Sequence, residues 1–422
     1  MEMTVNPLWI IPFILLLAAI AMMPFINGAW WEKNYRYVAS GLATVTAAYY
    51  LFGLDAPGKV AGALHEYISF IALIGALYVV SGGIHIAMKG GATPLENLAL
   101  LATGAVAANL LGTTGASMLL IRPYLRNNRD RLSAYHVIFF IFIVSNIGGG
   151  ITPIGDPPLF LGFIKGIPFF WITRAMLLPW AFALALVLAI FYMVDLLNFR
   201  KVSAGPRQEV ETGHDGFRIS GLGNLIFLAA IIGSVFIERP LFLREAVMIA
   251  AAAGSYFSTK RQIHLENHFT FHPIVEVAWL FAGIFVTMLP ALDWLSANAP
   301  ALGIGSSGGF YWVTGGLSSV LDNAPTYLNF LTAGLGLAHL SVDNPAHVRE
   351  FLLTHGREVA AISAGAVFFG AMTYIGNGPN FMVRAIAEHR GVRMPGFFGY
   401  ISRFSVPVLL PVLFLVWLIF FS

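Results

Sequence analysis

The most chemically informative stretch of the sequence is Ser145 to Leu161, Ser-Asn-Ile-Gly-Gly-Gly-Ile-Thr-Pro-Ile-Gly-Asp-Pro-Pro-Leu-Phe-Leu. Three consecutive glycines, three prolines and one aspartate within an apolar region predict a helix broken at depth, which lipid allows only around a protein-lined or watered cavity. Carbonyls freed at Gly148, Gly149 and Gly150 could coordinate a cation, while half-helix N-termini could face an anion. Ser145, Asn146 and Thr152 add neutral oxygen ligands suited to a hard ion. Asp156 adds charge: a carboxylate at the bilayer centre costs about 2.5–3.5 kcal/mol, so a proton or a bound cation should neutralise it. Alternating between the two is the chemistry of proton-coupled cation exchange.

A second constellation repeats these features. Leu321-Asp322-Asn323-Ala-Pro-Thr interrupts an apolar segment, as Leu111-Gly112-Thr113-Thr-Gly-Ala-Ser does earlier. The run Thr373-Tyr-Ile-Gly376-Asn377-Gly378 ends a later helix as Ser145-Asn-Ile-Gly148-Gly149-Gly150 ends an earlier one, with hydroxyl, Ile-Gly and final Gly in register. Asp322 and Asn323 would bring a carboxylate and an amide to the same cavity. Asp156 and Asp322 are therefore the candidate cation ligands.

The elements that must position these residues follow from composition. The chain has 422 residues, 58% hydrophobic and only 11% charged, against roughly 25% charged in ordinary globular chains. Apolar windows of about 20 residues, enough to cross about 30 Å of hydrocarbon, fall near 8–27, 37–54, 66–88, 133–148, 168–195, 219–238, 243–257, 273–293, 357–375 and 403–421. The segments 95–122 and 309–338 are interrupted halfway and read as re-entrant hairpins. Fully apolar runs such as Trp180 to Phe191 exclude a β-barrel, whose strands would alternate. The expected fold is thus an all-α polytopic membrane protein with about ten transmembrane helices and two re-entrant hairpins.

The polar stretch 198–220 divides the chain into halves with five crossings and one hairpin each. An odd number inverts the second half relative to the first, the inverted-repeat arrangement of secondary transporters. The expected organisation is 1–65 as N-terminal scaffold helices and 66–197 as a first repeat with its broken helix at about 133–164. A cytoplasmic linker at 198–220 then leads to 221–422, a second repeat with its broken helix at about 357–387. With both hairpins returning to the side they entered, one face receives seventeen of the 24 Lys and Arg, including the Arg122 to Arg131 cluster. The other face keeps Lys59, Lys165, Arg174, Arg239, Arg244, Arg349 and Arg357. By the positive-inside rule the first face is cytoplasmic and both termini lie outside.

Other classes are excluded or weak. The sequence has no cysteine, so thiol catalysis, thiolate metal sites and disulfides are impossible. Its net charge of +3 is scattered over loops, not gathered into a stripe for nucleic acid. The first apolar run has no cleavage pattern and is expected to be retained. Glu276 could be a proton relay or a snorkelling residue, and His85 and His136 read as structural. His264, His268 and His272 have helical spacing that could bind a metal, but Pro273 and the surrounding composition favour a solvated loop. Trp30, Trp31, Trp171 and Trp180 fit interfacial anchoring.

Ser-Asn-Ile-Gly-Gly followed by Thr-Pro-Ile-Gly-Asp, with Asn146 ten residues before Asp156, resembles the signature of NhaD-like sodium/proton antiporters. Asp322-Asn323, preceded by Ser318, resembles their second signature. Those proteins belong to the ion transporter superfamily, which includes arsenite, citrate-metal and dicarboxylate transporters. The resemblance implies a homodimer, with scaffold and transport domains working as an elevator, in a bacterial inner membrane. It gives ion-binding roles to Asn146, Asp156, Ser318, Asp322 and Asn323. The chain departs from the pattern at Pro157-Pro158, where the family has hydroxyl residues, and at Gly112-Thr113-Thr114, where it has an acidic residue.

The leading expectation is therefore a sodium (or lithium)/proton antiporter, with no enzymatic activity and no cofactor beyond the transported sodium ion and proton. Its partners would be membrane lipid, a small inorganic cation and a small carboxylate. The alternative is a cation- or proton-coupled carrier of citrate-like or dicarboxylate anions, and the distant one a two-aspartate intramembrane protease.

Overall fold

A computed structural model describes residues 5–89, 93–201, 215–237 and 239–422. The centre of the expected linker, 202–214, lies outside the described residues. The chain is an all-α polytopic membrane protein. Among the described residues six helices are long and apolar enough to cross a membrane, and shorter apolar helices accompany them. Helix α1 is Ile11–Ala48 and α2 is Pro57–Gly82. They are followed by strand β1 (His85–Lys89) and α3 (Pro94–Asn127). Next come α4 (Ala134–Ile143), α5 (Pro157–Ile164) and α6 (Phe169–Phe199). Strand β2 (Asp215–Ser220) precedes α7 (Asn224–Ser234), α8 (Leu243–Ser258) and the short α9 (Arg261–Glu266). The chain closes with α10 (His272–Thr287), α11 (Leu289–Asn298), α12 (Ser307–Ser318), α13 (Asn323–Leu337), α14 (Pro345–Phe369), α15 (Gly378–His389) and α16 (Phe397–Phe421).

Several expected boundaries move, each for a local reason. The windows 8–27 and 37–54 are joined by helix, not by a loop. Asn27 alone leaves helical geometry (φ −152°, ψ 74°), and its Oδ1 accepts from Trp30 N (3.2 Å), capping the second half of the helix. Beyond the kink Trp31, Tyr35 and Ala39 are buried at four-residue spacing, so the polar residues between them occupy the opposite face. The window 66–88 ends early because His85–Lys89 pairs antiparallel with Asp215–Ser220, a two-stranded sheet that hydropathy did not reveal. For the same reason the window 219–238 is helical only over Asn224–Ser234. The window 357–375 begins earlier, at Pro345, and His355 (φ −127°, ψ 31°) kinks the helix between a first, partly buried part and the fully buried second part.

Helix α3 is a hairpin. Thr93 caps it, with Pro94 in the first turn and Glu96 closing a capping box. At Gly112 the backbone takes φ 73°, ψ 155°, a conformation that a side chain would strain. The arms then fold back: Asn97 and Asn128 at their far ends exchange amide hydrogen bonds of 2.8 Å. A Cβ on Gly104 of the first arm would lie 2.9 Å from Leu120 of the second. Helices α12 and α13 form the other hairpin, Gly334 lying against Phe310.

The helices pack in two groups. α1, α2, α7, α8 and α10 pack on one another, while α3–α6 and α12–α15 surround the broken segments; α2 bridges the groups through α3 and α5. Close approaches use small residues, as membrane helices do: a Cβ on Gly283 of α10 would be 3.0 Å from that of Ala39, and one on Gly365 of α14 would be 2.7 Å from the Tyr311 carbonyl. Large apolar side chains such as Phe170, Leu178, Met193 and Leu197 of α6 point outward, as a lipid-facing surface requires.

One buried polar cluster ties α3, α4 and α6 together. Asp195 accepts from Arg131 (Nη2, 3.0 Å), Asn97 (3.0 Å) and Tyr135 (2.7 Å), with His136 beside it. Removing the carboxylate leaves a buried guanidinium without its counter-charge. Asp195→Ala should therefore destabilise the protein by about 3–5 kcal/mol, read as a lower thermal unfolding midpoint in detergent. An unchanged midpoint would show the cluster to be dispensable.

Candidate functional site

The irregular segment between α4 and α5 is fixed by two glycines that cross. A Cβ on Gly155 would lie 2.2 Å from the Gly149 carbonyl oxygen, and one on Gly149 would lie 2.5 Å from Thr113. Between α14 and α15 the same device recurs: a Cβ on Gly376 would lie 2.6 Å from the Gly370 oxygen. Hydrogen bonds repeat in step. Thr152 Oγ1 donates to the Asn109 carbonyl (2.7 Å) and accepts from Gly155 N (3.1 Å). Thr373 Oγ1 donates to the Ser319 carbonyl and accepts from Ile375 N (3.2 Å).

These contacts correct the register expected between the halves. Thr152-Pro-Ile-Gly155-Asp156, not Ser145-Asn-Ile-Gly148-Gly149, is the counterpart of Thr373-Tyr-Ile-Gly376-Asn377. The first half contains hydroxyl-x-Ile-Gly twice, so similarity along the chain could not choose between them. Asn377 thereby stands where the first half has Asp156.

Asp156 is the centre of the site, and 1% of it is exposed. Its Oδ1 accepts from Thr113 Oγ1 (2.7 Å) and Asn377 Nδ2 (3.1 Å), and its Oδ2 from Asn323 Nδ2 (2.6 Å). Each donor sits where a helix begins: Thr113 just past the Gly112 break, Asn323 at the first position of α13, Asn377 at the N-cap of α15. Asp156 itself caps α5. Helix N-termini carry partial positive charge and unpaired N–H groups, so both hairpin tips and both broken helices aim their positive ends at one carboxylate. Asn323 Oδ1, beside it, is buried without a hydrogen-bond partner.

The other expected site residues divide into support and periphery. Asn146 donates to the Ile141 carbonyl (2.9 Å) and Asn380 Oδ1 (2.7 Å) and accepts from Asn377 (3.3 Å), bridging the two broken helices behind Asp156. Ser145 exchanges a hydroxyl bond with Ser117 (2.8 Å), and its carbonyl accepts from Asn377 (3.1 Å). Ser318 donates to the Ala366 carbonyl (2.6 Å), and Thr152 and Thr373 to carbonyls as above; these hydroxyls hold backbone. Asp322 accepts from Ala324 N (3.1 Å) as the cap of α13. It faces a small cavity shared with Thr114 and Asn377, and no hydrogen bond joins it to Asp156.

The carbonyl of Gly148 already accepts from Asn109 (2.6 Å) and Trp180 (3.0 Å). Trp180 is thus tied to the broken helix, not only to an interface. A Cβ on Gly150 would meet Phe368 at 2.9 Å, whereas one on Gly378 meets nothing within 4 Å. Among the described residues no group of three His, Cys, Asp or Glu converges as metal ligands, so His264, His268 and His272 do not form one.

Asn109 and Asn380 escaped the reading of the sequence. Asn109 also accepts from Ile151 N (3.1 Å), and Asn380 donates to the carbonyls of Gly370 (2.8 Å) and Thr373 (2.9 Å). Their signal was an amide inside an apolar hairpin arm and one just after Gly-Pro. Each alone reads as ordinary helix polarity.

A second cluster lies elsewhere, around Lys59, Glu66, Lys165, Asp293 and Asp343. Lys165 pairs with Glu66 (2.7 Å) and Asp343 (2.9 Å), and Lys59 with Asp293 and Asp343 (both 2.8 Å). Burial alone would raise the Asp343 pKa, but Lys165 and Lys59 outweigh it and hold the carboxyl down at about 2. A depressed pKa contributes stability that is complete above the unfolded value near 3.8 and is lost as pH falls through the folded value. Asp343→Asn should therefore lower the unfolding midpoint by a constant amount above about pH 4, and the difference should vanish toward about pH 2. A difference that persists unchanged in acid would refute the pairing.

The crossing glycines give a sharper test. Gly155→Ala should prevent correct folding, whereas Gly378→Ala should leave it near wild type, measured by yield and monodispersity in detergent. Equal tolerance at both positions would contradict the close backbone approach.

A family model, CitMHS_2, described as "Putative citrate transport", matches residues 2–421. No curated protein matches the chain significantly.

Proposed function

Because the chain belongs to the CitMHS_2 family, whose description concerns citrate transport, we propose that it is a secondary active transporter of a citrate-type carboxylate anion, coupled to a cation or proton at Asp156. The observation that carries this reading is the convergence of both hairpin tips and both broken helices on the buried Asp156 carboxylate. Positive helix ends attract an anion without a lysine or arginine at the spot. An anionic cargo and an ionised Asp156 repel each other across a low-dielectric site. Neutralising Asp156 by a proton or a sodium ion removes that repulsion, which couples the two fluxes. The cargo therefore binds the neutralised form, and release of one favours release of the other.

Alternating access would move α3–α5 and α12–α15 as one transport body against α1, α2, α7, α8 and α10, in the elevator manner. The ion pair from Lys165 on the α5 side to Glu66 of α2 would hold one end position. A homodimer built on the second group, with both termini outside, completes the proposal. Two inverted halves fit the repeated Thr-x-Ile-Gly device.

A second reading, sodium/proton antiport, is favoured by one atom. Asn323 Oδ1 is buried and unpartnered beside Asp156, as a ligand awaiting a hard cation would be. One experiment separates the readings: wild type and Asp156→Asn in proteoliposomes, with labelled citrate and succinate uptake and internal pH followed under sodium or pH gradients. Gradient-driven carboxylate accumulation lost in Asp156→Asn is the expected result. Sodium-dependent proton movement with no carboxylate uptake would overturn it in favour of antiport.

A further inference from the structure

Arg122 lies on the second arm of the α3 hairpin, half-buried, and no carboxylate among the described residues pairs with it. Among the described residues the other cations that are buried or half-buried are matched: Lys59 by Asp293 and Asp343, Arg131 by Asp195, Lys165 by Glu66 and Asp343, Arg244 by Glu245 and Arg384 by Glu388. Holding a guanidinium partly away from water without a counter-charge is costly, and such a residue facing a cavity is a candidate anion-binding group. Its surroundings are a cavity of about 160 Å³ bounded by Tyr78, Met118, Asn267, Thr270 and Met382.

This cavity sits between two others. On one side, sharing His268, is a wide vestibule of about 960 Å³ lined by Arg126, Arg218, Lys260 and Arg390, with Glu266 as its one carboxylate among the described residues. Glu266 is engaged by Gln262 (2.9 Å) and approached by His85. On the other side, sharing Tyr78, Pro273 and Met382, is the small cavity of Asp322 and Asn377, which in turn shares Tyr78, Thr114 and Pro157 with that of Asp156. Successive cavities that share lining residues thus run from a cationic mouth to the central carboxylate, and Arg122 lines the second of them.

We propose that Arg122 binds a carboxylate group of the anionic cargo, at a way-station between the basic vestibule and the Asp156 site. The guanidinium fork matches a carboxylate in two parallel hydrogen bonds. The vestibule raises the local concentration of anions at its mouth, and Arg122 receives them where solvent thins. Binding there places the anion beside Tyr78, the side chain common to the three inner cavities. The inference rests on the anion-transport reading above and adds to it a specific recognition residue.

The test compares wild type, Arg122→Lys and Arg122→Gln in proteoliposomes with citrate and succinate as probes. Loss of a bidentate charged contact should raise the apparent KM about ten- to hundredfold, with kcat changed much less and Arg122→Lys intermediate. Because the chain has no cysteine, Met118→Cys places a lone thiol on the wall of the same cavity. Citrate should slow its reaction with an anionic thiol reagent in otherwise wild-type protein, and this holds even where the Arg122 variants fold poorly. Carboxylate uptake by wild type with unchanged KM in Arg122→Gln, or with no citrate protection at Met118→Cys, would overturn the way-station and leave the transport reading intact. Absence of uptake by wild type would overturn both.

Discussion

A carboxylate buried among apolar helices must be met by donors that do not themselves come from water, and Asp156 imposes that constraint on the whole molecule. The bilayer core supplies no free N–H groups along an intact helix. Backbone N–H groups become free only where helices begin, and those ends also carry the positive end of the helix dipole. The chain therefore breaks two long helices and folds two others into hairpins, and delivers Thr113, Asn323 and Asn377 to Asp156 from those starts. The crossing of Gly149 with Gly155, and of Gly370 with Gly376, is the steric condition for bringing the ends close enough.

The supporting shell follows from the same constraint. Breaking a helix releases carbonyls and amides that need partners, and an unpaired buried group costs about 1–3 kcal/mol. Asn109, Asn146 and Asn380 bond to the backbone of the breaks, and Thr152 and Thr373 fasten each break to the hairpin beside it. The site is therefore rigid where it holds charge. Its neutral amides can donate to an ionised carboxylate, while Asn323 Oδ1 remains available as an acceptor. That dual capacity is what coupling of an anion to a cation or proton requires.

Charge elsewhere is segregated by function. The structural pairs, Asp195 with Arg131 and Lys165 with Glu66 and Asp343, are closed on themselves. Arg122 and the vestibule residues behind it are not matched by acids in the same way. Under the proposed way-station, the contrast separates ions paired within the protein from ions that would face a passenger.

Membrane crossing and chemical focus were legible along the chain. Composition required apolar helices, and glycine, proline and aspartate together required a break around Asp156, because both follow from the local cost of exposing backbone or charge to lipid. Hairpin tips could be found from their polar interruptions for the same reason. Which hydroxyl of the first half answers Thr373, and that Asn323 and not Asp322 reaches Asp156, were decided only by tertiary contacts. The same holds for the pairing of His85–Lys89 with Asp215–Ser220 and for the isolation of Arg122. These depend on which distant groups the fold brings within hydrogen-bonding distance of one another, and a linear pattern of residue types carries no such distance.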